Sequence, residues 1–341
     1  MLHGPGDSES TRQVRRRFLA IAVAAGLAAS VTVATATATA TGHIETVVEF
    51  DAGAGELSEG VAVDKRGNVF ASLSPLGQLV KIPAGTTDAV PFGSVSGLGA
   101  GDIGLLGLAV DAPGNVYGAV FAPTGTATGV WKFDRKTGAE ELVPGTGSMA
   151  FPNSVAFDKR GTMYITDTIG GAVWRVERDG TAEAWVQSSL LEGDGSLGFP
   201  FPLGANGIAV RNNTVYVGVT EQSSIVTIPI QPDGSAGTPE VLATIPGAVV
   251  DGIALDVHGN VYIANPVPSG IIKVSADGSM NETVADDSAF LDGPTSVAFG
   301  TGRGDKQSLY AVNFSVALGT PLGAGPSVVK VDVGVPGQPV P

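Results

Sequence analysis

Four oxygen-bearing residues occupy matching places along the chain. Glu59, Asn153, Asn206 and Asp251 each open a short segment in which a small residue and then apolar residues follow, as in Asn206-Gly-Ile-Ala-Val and Asp251-Gly-Ile-Ala-Leu. Carboxylate and amide oxygens without imidazole or thiolate form a hard donor set. Such donors suit Ca²⁺ or another hard divalent cation, with six to eight oxygens at about 2.3–2.6 Å and waters completing the shell. Zn²⁺ prefers His and Cys. A cation held by such a set can polarise a carbonyl, and a carboxylate beside it can take a proton from water. The chain has no Cys, which excludes disulfides, thiolate metal sites and a cysteine nucleophile. Its three histidines, His3, His43 and His258, fall away from the four residues, so no Ser-His-Asp arrangement is available to them.

The elements that must position these residues are written in a repeat. Six segments, beginning at Glu59, Leu106, Asn153, Asn206, Asp251 and Thr295, recur at intervals of 44–53 residues. Each pairs an apolar strand, a tight turn and a second apolar strand. In four of them the turn is Asp-x-x-Gly, at Asp64, Asp111, Asp158 and Asp256. Gly supplies the positive φ there, and Asp bonds the turn backbone. Third and fourth strands follow in most segments, among them the stretches carrying Trp131, Trp174 and Trp185, which read as packing residues. Four antiparallel strands repeating at about 40–50 residues predict a propeller blade. The fold predicted is therefore all-β, a six-bladed β-propeller of four-stranded antiparallel blades. The strand-like stretch 43–50 is expected to close the ring as the outermost strand of the last blade, removing the open edges. Equivalent positions then form one ring around the central channel, where two carboxylates would repel unless a cation lay between them.

Composition agrees. Gly reaches 49 of 341 residues and charged residues only 15%, which fits turn-rich β structure and excludes a coiled coil; 43% hydrophobic residues are enough for a core and exclude disorder. The net charge of −14 makes nucleic acid a poor partner. Residues 1–40 differ from the rest. Arg12, Arg15, Arg16 and Arg17 precede an apolar run, 18–29, and small residues ending in Ala38-Thr-Ala40. This is the pattern of an export signal, and Arg15-Arg-Arg-Phe-Leu resembles the twin-arginine type. The run is too short to span a membrane. The expectation is a signal over 1–40 and a single propeller domain over 41–341, secreted and monomeric.

The residues Ser58-Glu59-Gly60, Pro152-Asn153-Ser154, Asn206-Gly207-Ile208 and Asp251-Gly252-Ile253 together resemble the senescence marker protein, gluconolactonase and luciferin-regenerating enzyme family, with diisopropylfluorophosphatase and paraoxonase more distant. The resemblance covers about residues 44–333. It implies a six-bladed propeller with a divalent metal, often Ca²⁺, held by Glu59, Asn153, Asn206 and Asp251, and hydrolysis of lactones or related esters. It also implies Asp251 as general base, with Glu59 chiefly anchoring the metal. Two departures stand out: Phe151 replaces an Arg usual in sugar lactonases, and Ser154 replaces an Asp. Both point to a less polar pocket and a fairly apolar small-molecule substrate.

The substrate would sit at the ring face, opposite the Asp-x-x-Gly turns. The long segment 190–205, with Phe199-Pro-Phe201-Pro-Leu203, is expected to form a stiffened apolar lid or to pack on the next blade. Asp102, Asp167, Asn265 and Asn313 are expected to add polar groups near the mouth. Two other readings stay open: a non-enzymatic propeller binding a protein or cell-wall ligand with structural calcium, and a strictosidine-synthase-like synthase or lyase.

Overall fold

A computed structural model describes residues 42–286, 288–315 and 323–340; the expected export signal lies outside them. Six four-stranded antiparallel sheets form six blades. Their innermost strands are Ser58–Val63, Gly104–Val110, Pro152–Phe157, Ala205–Arg211, Ile253–Leu255 and Pro294–Phe299, and each contacts the innermost strand of the next blade around a closed circle. The strand Ile44–Glu49 pairs antiparallel with Ser327–Asp332 and is the outermost strand of the sixth blade, as the sequence predicts. Four three-residue 3-10 turns are the only helical pieces among the described residues, and none of their helices is long and apolar enough to cross a membrane.

The core lies between the blades. Six apolar clusters each span two consecutive blades, from Ala62, Phe70 and Leu105 between the first and second to Val61, Tyr310 and Val328 between the sixth and first. Alternation along each strand supplies one apolar face to each neighbour. The Asp-x-x-Gly turns behave as expected: the Asp64 carboxylate accepts the Arg66 and Asn68 N–H groups, and Asp256 accepts those of His258 and Asn260. His258 is thus a turn residue away from the ring.

Every inner strand is irregular at the ring position. Ser58 pairs with Leu73 and Val61 with Ala71, so Glu59 and Gly60 together face Ser72; Asn153 and Ser154 likewise face Thr166, and Asn206 and Gly207 face Gly218. In the fifth blade, Asp251 N–H donates to Ala264 O, and Ala264 N–H to Gly252 O. Such bulges re-aim a side chain out of the strand's alternation. The second bulge residue is pressed against the next blade. A Cβ on Gly207 would lie 2.3 Å from Asp251 O, and one on Gly60 2.2 Å from Leu106 O. Backbone atoms cannot yield as a side chain can, so the glycine is required for blades to approach; overpacking of this kind costs about 1–3 kcal/mol.

The far end of the channel is covered by the C-terminal segment. Gln338 donates its backbone N–H to Leu255 O at 2.9 Å and its side-chain amide to Val210 O at 2.7 Å. A cavity of about 180 Å³ remains there, lined by Val61, Val155, Ile208 and their neighbours on the inner strands.

Candidate metal centre at the channel mouth

The bulges bring the ring residues to one end of the channel, and hydrogen bonds bridge four of the six blade junctions there. Ser72 Oγ donates to Leu106 O at 3.1 Å, Thr166 Oγ1 to Asn206 O at 2.5 Å, Gly252 N–H to Thr295 O at 2.8 Å, and Thr295 Oγ1 to Glu59 O at 2.9 Å. Each link runs from one blade to the next, so the positions of Glu59, Asn153, Asn206 and Asp251 are fixed by the closure of the propeller.

Three buried side-chain oxygens from three blades have no hydrogen-bond partner: Glu59 Oε2, Asn153 Oδ1 and Asn206 Oδ1. An unmade bond at a buried acceptor costs about 1–3 kcal/mol. Asn206 shows how its oxygen is aimed. Its Nδ2 donates to Thr220 Oγ1 at 3.0 Å, and that hydroxyl donates its own proton to Val250 O at 2.9 Å. Thr220 can therefore only accept from Asn206, which holds the amide with Oδ1 turned away from the strand. Orienting partners of metal ligands commonly contribute 10–100-fold in affinity. Thr220→Val is accordingly expected to weaken Ca²⁺ binding by about tenfold or more. Calorimetric titration checks this, and an unchanged affinity would remove Thr220 from the site.

Glu59 and Asp251 are half-buried residues whose carboxyls are closely surrounded by protein. Burial raises the Glu59 carboxyl well above its ordinary value, and the Asp251 carboxylate raises it further. Burial raises Asp251 to about 7, opposed by hydrogen bonds from the Asn206 side chain and Gly252 N–H. The two acids therefore feel one another in a medium that disfavours charge, and both would ionise with a cation between them. Among the described residues no three His, Cys, Asp or Glu side chains gather. A set of two carboxylates and two amides is a different arrangement, and its orphaned oxygens fit a hard divalent ion.

Other expected mouth residues have different work. Asp167 accepts the N–H groups of Ala150, Phe151 and Gly170. Asn265 accepts Val249 N–H, and Asn313 accepts Asp292 N–H. Asp102 accepts Gly99 N–H, Thr124 N–H and the Thr124 hydroxyl. Their polar atoms tie down the loops that enter the inner strands, so the groups expected near the mouth act there as clamps on backbone N–H groups. Glu221, which the sequence reading passed over, holds the segment 190–205 through the N–H groups of Gly195, Leu197 and Leu203. That segment lays Phe201 edge-on against Phe121 and Phe151, which stack at 4.0 Å, and the cluster includes the ring residue Leu106. It packs as an anchored wall.

The sequence of the later blades carries a family signature. Residues 203–312 match the model of the SMP-30/Gluconolactonase/LRE-like region. Asn206 and Asp251 lie inside this SMP-30/gluconolactonase-like region, and Glu59 and Asn153 reach the same mouth from outside it. Solved structures match around the whole ring. Luciferin-regenerating enzyme superposes with a TM-score of 0.64 at 17% identity, over 87% of this chain and 97% of its own. A gluconolactonase from Xanthomonas campestris gives 0.63 at 16%, over 86% and 89%. A calcium-binding regucalcin from Agrobacterium tumefaciens gives 0.62 at 16%, over 84% and 93%. At these identities the likeness is one of fold. No curated protein matches the sequence of this chain.

Proposed function

We infer that the protein is a Ca²⁺-dependent hydrolase of a lactone or related ester. The observation that carries this reading is the set of three unpartnered buried oxygens, Glu59 Oε2, Asn153 Oδ1 and Asn206 Oδ1, beside the raised carboxyl of Asp251. These four residues would hold the cation, which when bound supplies a Lewis acid for a carbonyl oxygen and its developing negative charge. Asp251 takes a proton from the attacking water on a carboxylate oxygen. The water oxygen bonds to the carbonyl carbon, the ester C–O bond breaks, and the proton passes to the departing alkoxide, leaving acid and alcohol. Glu59 anchors from the first blade. The amides of Asn153 and Asn206 contribute oxygens without further negative charge. The named activities of the gluconolactonase and the calcium-binding regucalcin among the structural neighbours support the same direction.

A panel of lactones, aryl esters and phosphotriesters, assayed with Ca²⁺ and with chelator, tests the reading. Turnover that chelator abolishes and Ca²⁺ restores is expected. Ca²⁺ binding with no turnover across the panel would replace the hydrolase with a non-enzymatic propeller. The proposed site of action is outside the cell, on the strength of the signal-like residues 1–40. N-terminal sequencing of the protein from its host should begin near Thr41, and a product retaining Met1 or Leu2 would refute export.

A further inference from the structure

The connections that reach the ring face carry no Lys, Arg or His anywhere in their sequence. Among the described residues this holds for the segments entering the inner strands (49–60, 94–107, 142–154, 187–207, 244–253, 285–286 and 288–296) and for those joining second to third strands (72–78, 120–130, 166–173, 219–225, 264–271, 312–315 and 323–328). The same connections contain Asp102, Glu192, Glu221 and Asp292 besides Glu59 and Asp251. The basic residues are placed elsewhere. Lys65, Arg66, Lys159 and Arg160 sit at far-face turns, while third-strand cations pair with acids, as Lys273 does with Glu282 and Lys330 with Glu45. Recognition of a carboxylate or phosphate group ordinarily uses Arg or Lys, and this mouth offers neither. One divalent cation between two carboxylates leaves no surplus positive charge, and the surrounding acids repel an anion.

One wall of the same mouth is aromatic. Phe121 and Phe151 stack with ring centroids 4.0 Å apart and planes 11° apart, and Phe201 meets them edge-on at 5.9 and 5.6 Å. Leu106 and Leu203 complete the patch. Phe151 lies two residues before Asn153, so the wall adjoins the ring between the second and third blades. Phe199, in the same loop, is 39% exposed.

We propose that this mouth selects uncharged esters whose acyl chain lies on the half-buried Phe201 and Leu203, backed by the buried Phe121–Phe151 stack, and rejects esters carrying a carboxylate at the end of that chain. This deepens the hydrolase reading and rests on it. The test uses the whole Ca²⁺-loaded protein with two esters of equal leaving group and similar length, 4-nitrophenyl butyrate and mono-4-nitrophenyl succinate. After division by their uncatalysed rates, kcat/KM should favour the butyrate at least tenfold, with the gap narrowing as salt rises. Lengthening the neutral chain should raise kcat/KM by about fourfold per methylene, and Phe201→Ala should flatten that series. Phe199→Arg places a cation on the exposed loop and should recover the succinate ester selectively, a result that loss of packing alone would not produce. Calorimetry with both esters separates the failures. Preferential binding of the butyrate without turnover sinks the hydrolase reading and supports the selectivity. Equal kcat/KM for the two esters overturns the selectivity and leaves the hydrolase standing. Binding of neither overturns both.

Discussion

Asp251→Asn is expected to fold, to bind Ca²⁺ more weakly, and to lose turnover by about 10²–10⁴-fold even when Ca²⁺ is saturating. The substitution keeps the side chain's shape and one oxygen toward the channel. It removes the only feature an amide cannot supply, a group that accepts a proton from water and carries it. The surroundings are set to tolerate the change. Asn206 and Gly252 donate toward this side chain, and an amide oxygen accepts those bonds as a carboxylate does. The bulge that aims residue 251 is built from backbone, through Asp251 N–H to Ala264 O and Ala264 N–H to Gly252 O, and does not depend on the side chain.

Glu59→Gln provides the contrast. It also removes one charge, so it should raise the Ca²⁺ requirement, but turnover should largely return at high Ca²⁺ because the base is intact. Asp64→Asn, at a far-face turn that holds Arg66 and Asn68 N–H groups, should leave activity unchanged. Turnover of each protein across a Ca²⁺ series decides the matter. Full activity in Asp251→Asn at saturating Ca²⁺ would exclude the base role, and loss of the same size in Glu59→Gln that Ca²⁺ cannot restore would move the role to Glu59.

The ring was legible because six hairpins repeat in register, and a repeat assigns equivalent places without any knowledge of three-dimensional contacts. Closure by Ile44–Glu49 was legible for the same reason: the last segment lacked a fourth strand, and an exposed edge is costly. The bulges were not read, although they left a trace. Gly60, Gly107, Gly207 and Gly252 follow ring residues in four blades, each where a Cβ would strike the next blade's backbone or side chain. The role of Asp167, Asn265 and Asn313 was not legible, because their type and position at strand ends fit a ligand-facing residue and a loop clamp equally well. Only the folded loop shows that main-chain N–H groups meet them first. Glu221 and Gln338 escaped notice because their partners are backbone atoms of segments far away in sequence, which no local pattern encodes.

Removal of the cation should make stability fall as pH rises, and added Ca²⁺ should abolish that trend. The sign follows from the raised acids. Asp251 is held at about 7 against an ordinary value of 3.8, and Glu59 is raised as well, both chiefly by burial. Well below pH 4 the folded and unfolded chains both keep these protons, and pH has no leverage through them. Between about 4 and 7 the unfolded chain releases the Asp251 proton while the cation-free fold retains it, so stability declines with rising pH through this window. Above the folded value the site holds two facing carboxylates and the penalty is complete. A bound cation reverses the preference, since it favours the ionised pair. At a hundredfold excess over Kd, binding adds about 2.7 kcal/mol, which at about 2.1 cal/mol/K of unfolding entropy per residue over about 300 residues corresponds to a rise in Tm of roughly 4 °C. Thermal melts of chelated and Ca²⁺-loaded protein from pH 5 to 8 should therefore diverge, with the gap widest at the alkaline end. The other carboxylates whose values shift are lowered by hydrogen bonds from hydroxyl and backbone N–H groups, which at Asp102 outweigh the effect of burial, and they act in the opposite sense. They contribute to both samples alike, so the difference between the two curves isolates Glu59 and Asp251. In Asp251→Asn the divergence should shrink, since one of the two facing charges is gone. Parallel melting curves with and without Ca²⁺ would show that the four ring residues hold no cation.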